Sequence, residues 1–295
     1  MAHQKIDADS LRIGERSRQL CRDLWGNLNA RIGICLLIPT VVLVVFGPIL
    51  VPHDPTTTHS AQYASPNTTF LLGTDHLGRD LLSRVLAGGR TSLFLGVSAS
   101  ALALAFGVPI GLVSGYYGGR IDEFLMRFMD ILISIPTLVL ALLIVIVLTP
   151  SLLNIIAVIG VIYAPRVGRV VRSSTLSKKK EEYVLAAKAR GESDFYVMRS
   201  EILPNILGPI VIEGSIRAGY AILLGTSLSF LGLGTQPPTP DWGFMIAVAR
   251  DHYWFSPWML LGPAVALSVT ILGFNFLGDG LRDVLDIQTN NKGDI

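Results

Sequence analysis

Residues 178–204 read KKKEEYVLAAKARGESDFYVMRSEILP, a charged island set between long apolar runs. Residues 180–190 are good helix formers, and Glu182, Ala186 and Arg190, at four-residue steps, share one helix face. Gly191 ends that helix, because a glycine just past the last turn takes the left-handed conformation cheaply. A second short helix is expected next. Ser193 and Asp194 suit its start, and Phe195, Val197 and Met198 supply apolar contacts. Pro204 is expected to push Leu203 out of helical geometry. The small Ala186 and Ala187 leave room for another surface to approach, and Tyr183 offers a large amphipathic contact. Composition alone favours a linker lying at a membrane surface, and a docking element is the sharper reading.

The chain as a whole has the composition of a bilayer protein. Of 295 residues, 51% are hydrophobic and 16% charged, with a mean hydropathy of +0.53, outside the habit of soluble domains. The expected architecture is all-helical with six spans, at 31–51, 91–117, 124–148, 151–167, 206–231 and 258–277. Pro150 divides the third span from the fourth, so these two form a tight hairpin. Around them lie a cytosolic tail (1–30), a periplasmic loop (52–90), a five-helix core (91–281) that contains the 178–204 loop, and a second cytosolic tail (282–295). Residues 11–24 suit either an amphipathic helix on the inner membrane surface or a loosely ordered arm. The first apolar run is long enough to span and is expected to be retained as an anchor rather than cleaved as a signal peptide.

Charge sets the orientation. With the N-terminus inside, the inner segments hold nineteen Lys and Arg and the outer loops four, Arg79, Arg84, Arg90 and Arg250. That bias places both termini and the 178–204 loop in the cytosol. A net charge of +2 is too small to point to nucleic acid. Cys21 and Cys35 form neither a disulfide framework nor a zinc spacing. Trp242, Trp254 and Trp258 cluster near the outer ends of the last two spans, where interfacial anchors are expected.

Within the spans, Gly107, Gly111 and Gly115 recur at four-residue steps and leave a smooth strip for close helix packing; Pro109 beside them makes a flexing helix the rival reading. Arg217 is a charge inside the fifth span. It either lines a substrate path or pairs with Glu213 one turn away, and the second reading weighs slightly more. Asp75, His76 and Asp80 lack metal-ligand spacing, and Asp80 suits a helix cap. There is no GxxxxGK[ST], HExxH or GxSxG, so neither catalytic residues nor a metal site are expected in this chain.

The order Ala186-Ala187, three residues, Gly191, nine residues, Glu201, one residue and Leu203-Pro204 resembles the EAA motif, the cytoplasmic loop of ABC importer permeases. Family members carry Glu where this chain has Leu185 and an apolar residue where it has Glu201. Further stretches resemble the dipeptide, oligopeptide and nickel branch of that family. They are 72–84 (LGTDHLGRDLLSR), 115–119 (GYYGG), 126–130 (MRFMD), 134–136 (SIP), 228–234 (LSFLGLG), 236–243 (QPPTPDWG) and 275–283 (NFLGDGLRD). They cover the chain from about residue 31 to 286 and look like the second, C-type permease subunit. Gly225 and Ile287 depart from the Glu and Pro often found there.

The resemblance implies a type I importer permease fold in the bacterial inner (plasma) membrane. Helices two to six would make the transport core, with the first helix wrapped outside it. It implies a homologous B-type permease, two ABC ATPase subunits, a periplasmic or lipid-anchored substrate-binding protein, and surrounding lipid. ATP and Mg would sit on the ATPases, with no cofactor on this chain. Glu182, Tyr183, Ala186, Ala187, Arg190, Gly191, Asp194, Leu203 and Pro204 would form the coupling loop that plugs into an ATPase cleft. Dipeptides or oligopeptides are the expected cargo, with nickel or glutathione as alternatives. An ion-driven secondary transporter would need coupling carboxylates near the midplane, whereas Asp130 and Asp279 lie towards the inner ends of their spans. An intramembrane enzyme is disfavoured by the missing motifs.

Overall fold

A computed structural model describes residues 22–51 and 53–290. The expected surface helix at 11–24 and Cys21 fall almost wholly outside the described residues. α1 (Leu28–Leu50) starts at Asn27, whose side chain accepts from Ala30 N. Asn27 and Asn29 also donate to Asp283, each at 3.1 Å, tying the start of α1 to the far end of the chain. α2 (Leu81–Tyr117) has 37 residues. At about 55 Å it overreaches a hydrocarbon core of about 30 Å. It begins where Asp80 accepts from Ser83 N at 3.1 Å, well before residue 91, so the end of the expected 52–90 loop is helical.

α3 (Gly119–Ser134) and α4 (Thr137–Val147) replace the straight span expected at 124–148 with a pair bent by 88°. Pro136 has no N–H, and it holds Ile135 extended at φ −87°, ψ 132°. α5 (Leu152–Lys178) starts at a Ser151 cap and runs past residue 167. It thereby carries Arg169 and Arg172, as well as Arg166, on the helix, the first two having been expected in the loop.

The charged island folds as α6 (Glu182–Ala189), the single turn α7 (Asp194–Tyr196), a π turn (Val197–Ile202) and a 3-10 turn (Leu203–Ile206), leading into α8 (Leu207–Phe230). Leu203 does not leave helical geometry, as expected from Pro204, but stays at φ −54°, ψ −45°. The widened π turn makes room before the proline ring, and Asn205 Nδ2 donates to Glu201 O at 2.7 Å. α9 (Trp242–Asp251) and α10 (Trp258–Asn290) complete the described residues, and α10 continues as helix through part of the expected C-terminal tail. Among the described residues five helices are long and apolar enough to cross a membrane, or six with the bent pair taken as one span.

α2 lies against α5 along its glycine strip and runs unbroken through Pro109. A Cβ at Gly107 would sit 2.6 Å from Ala164 O, at Gly111 2.5 Å from Gly168 O, and at Gly115 2.7 Å from Thr175 Cβ. α1 packs along α10, where Gly33 and Gly280 let the two backbones meet. α1 is also held to α2 by Arg90, whose Nε donates to Val44 O at 3.1 Å. Residue 48 is a proline, so Val44 O has no donor four residues on, and the guanidinium takes that place.

One apolar core runs down α2, α5 and α8 into the charged island. A second, near α9, centres on Trp242. Trp242 is fully buried and donates Nε1–H to Val85 O at 2.8 Å, so it is not the interfacial anchor expected of it, whereas Trp254 is 91% exposed.

Candidate functional site

The charged island is a helix–turn–helix with two unlike faces. Gly191 closes α6 at φ +80°, donating to Lys188 O at 2.9 Å, while Glu192 N reaches Ala187 O. Ser193 Oγ then accepts from Tyr196 N and starts the second arm. One face points into the bundle, with Val184, Ala187, Val197 and Ile202 fully buried in the shared core. Ala187 is therefore not open to a partner, because it stands one turn from Val184 on the inward stripe. Ala186 is exposed.

The outward face carries Leu185, Phe195 and Tyr196 at 54%, 67% and 41% exposure. Glu182 and Pro204 are exposed and Leu203 is half-buried. Arg190 bridges the arms, 3.8 Å from Glu192 and 3.7 Å from Glu201. Tyr183 is half-buried, and its hydroxyl has no hydrogen-bond partner among the described residues. Burial pushes that hydroxyl above the usual tyrosine range, with Glu181 and Glu201 adding to the effect.

The element is pinned to the end of α2. Tyr116 Oη donates to Asp194 Oδ1 at 2.6 Å, and Lys188 Nζ lies 4.5 Å from the Tyr116 ring centre. Tyr116 belongs to the GYYGG stretch, whose aromatic pair before a glycine stop was the signal in the sequence that carried no role there.

Within the bundle, Arg217 Nε meets Glu213 Oε1 at 2.6 Å, with both side chains largely buried. The Arg217 guanidinium also lies 5.8 Å from the Tyr163 ring centre and 5.4 Å from that of Tyr220. Arg166 approaches the same Tyr163 ring at 5.5 Å and donates to Thr137 Oγ1 at 3.0 Å, beside the break between α3 and α4. Arg166 stands at the end of the span expected at 151–167 and carried no role in the sequence, because Thr137, its hydrogen-bond partner, lies on another helix. Arginines at three-residue steps on a helix were the available signal.

At the opposite end, Asp75 is held by Arg79 at 2.7 Å and Arg84 at 3.5 Å, and Asp80 is a helix cap. His76 stacks on His252 at 4.9 Å, and Tyr63 Oη lies 3.1 Å from His252 Nδ1. Burial pushes the His76 imidazole below its usual range. Among the described residues, no three His, Cys, Asp or Glu side chains converge to hold a metal ion.

Residues 107–289 match the family described as binding-protein-dependent transport system inner membrane component. The chain is 38% identical to the dipeptide transport system permease protein DppC of Alkalihalophilus pseudofirmus, over 91% of this chain and 89% of that protein. It is also 38% identical to the protein of the same name from Haemophilus influenzae, over 88% and 90%. A glutathione transport system permease protein of Pectobacterium atrosepticum is 39% identical over 75% of this chain and 73% of its own length. Among solved structures, an inward-facing form of the MetNI methionine ABC transporter shares the fold at a TM-score of 0.57 and 19% identity, covering 68% of this chain and 96% of the other.

Proposed function

The chain belongs to the family of binding-protein-dependent transport system inner membrane components, and on that premise we propose that it is the permease subunit of an ATP-binding-cassette importer for dipeptides or short oligopeptides. It forms half of a translocation path with a homologous B-type permease. Two ABC ATPases hydrolyse ATP with Mg on the cytosolic side, and a periplasmic or lipid-anchored binding protein delivers cargo from outside. Both termini and the 178–204 loop face the cytosol, supported by the bias of Lys and Arg along the chain. The glutathione relative supports a second reading, in which the cargo is glutathione.

The observation that carries the coupling role is the two-faced loop. Leu185, Phe195 and Tyr196 stand exposed on one side, while Val184, Ala187 and Tyr116 lock the other side to α2, α5 and α8. An ATPase cleft that grips the outer face and closes would drag the bundle through the inner one. The test is co-purification from detergent extract of the wild-type chain and a Leu185→Ser, Phe195→Ser double variant. The wild type brings down a second permease and ATPases, and a peptide-loaded binding protein raises ATP hydrolysis. The double variant keeps the permease and loses the ATPases. A chain that purifies alone and moves solute on an ion gradient would overturn the reading, as would a double variant with full ATPase content.

A further inference from the structure

α5 carries arginines at 166, 169 and 172, and α3 answers two of them. Arg172 makes a two-pronged pair with Asp122, and Arg169 pairs with Asp130. The chain then bends at Ser134–Pro136, and the next polar side chain alongside is Thr137, whose hydroxyl takes one hydrogen bond from Arg166. Among the described residues no carboxylate pairs with Arg166, whereas the other cation within the bundle, Arg217, is matched by Glu213.

Arg166 is also the deepest of the three. It lies 14 residues along α5 from Leu152. That is about 21 Å along a helix whose apolar stretch is read as a membrane span. A charge there faces protein or a water-filled cavity, because lipid gives it no partner. It is partly exposed, beside the Tyr163 ring that Arg217 also covers.

We propose that Arg166 is a cargo site in the translocation path and receives the carboxylate of a passing peptide. The inference rests on the importer reading above and narrows it to carboxylate-bearing cargo. The guanidinium is a planar fork with five donors that fits a carboxylate through two parallel bonds, and a single hydroxyl leaves most of that capacity unused. Thr137 and the Tyr163 ring hold the fork in place without neutralising it. A bare divalent cation would be repelled here, which separates peptide or glutathione cargo from a free metal ion.

The experiment uses the whole transporter with its binding protein in proteoliposomes and labelled dialanine as the probe, comparing wild type with Arg166→Gln and Arg166→Lys. Gln keeps a donor for Thr137 but no charge, and Lys keeps the charge without the fork. The expected result is uptake about tenfold lower in Arg166→Gln, partial recovery in Arg166→Lys, and subunit content and stimulated ATP hydrolysis within about twofold of wild type in both. Wild-type uptake in Arg166→Gln overturns the inference. So does loss of assembly or ATP hydrolysis in step with uptake, which would make Arg166 a contact of the partner subunit or of the fold. A wild-type complex that moves no peptide overturns the importer reading and this inference with it.

Discussion

Gly191 sits at φ +80°, and among the described residues beyond its chain neighbours nothing lies within 4 Å of the position a Cβ would take. The demand for glycine is therefore one of backbone conformation and not of space. The left-handed region costs an L-residue about 1–2 kcal/mol, and Asn tolerates it better than β-branched residues do. Gly191→Val is thus expected to open the turn and lower ATPase association and uptake about tenfold, while Gly191→Asn stays close to wild type. Pull-down stoichiometry and peptide uptake measure both, and full association with normal uptake in Gly191→Val would remove the turn from the coupling mechanism. At this scale the sequence was informative wherever a residue's own backbone preference decided its place, as for Gly191, Asp80 and Ser193. It was silent where a side chain answers a distant one. Ala187 reads like Ala186 in a two-turn helix, and only contact with the core separates them.

Between elements, the tightest feature is the seam of α2 and α5. Gly111 is the centre of the strip, and a methyl group there would lie 2.5 Å from Gly168 O and 2.7 Å from Val171 Cβ. Alanine raises helix propensity by about 1 kcal/mol over glycine, but overpacking a fixed seam costs about 1–3 kcal/mol. The second effect is larger because the obstacle is backbone on a helix anchored at both ends. Gly111→Ala is therefore expected to lower the thermal midpoint of the purified complex in detergent, and an unchanged midpoint would mean that the helices part without cost. The four-residue glycine repeat made this seam visible in the sequence. The two X-Pro steps were less legible. Pro136 breaks its helix by 88°, while Pro204 is absorbed by a π turn and the Asn205 side chain. The local steric conflict is the same in both, and the outcome depends on whether nearby groups can take up the freed carbonyls.

For the whole molecule, the decisive property is which end faces which compartment. α2 runs from the 53–80 loop to Tyr116 beside Asp194, so the 53–80 loop and the 178–204 loop stand at opposite ends of the bundle. In a background with Cys21 and Cys35 replaced by Ser, a cysteine at Thr68 is expected to react with an impermeant maleimide in intact spheroplasts, and one at Lys180 only in inverted vesicles. Both positions are exposed. Labelling of both from the same side would contradict the two-ended arrangement, and reversed sidedness would contradict the cytosolic loop. Read from the sequence alone, the all-helical bilayer fold, the glycine seam and the turn at Gly191 were already visible, and the bias of Lys and Arg supplied the expected direction of insertion. These follow from apolar length, charge distribution and local backbone preference, which are properties of contiguous residues. The packed bundle was needed to show that Ala187 and Trp242 are interior, that Tyr116 holds the 178–204 loop, and that among the described residues Arg166, unlike Arg169 and Arg172, meets no carboxylate. Each of these depends on which distant helix comes alongside, and that is set by packing and by the bend at Pro136, which no local periodicity records.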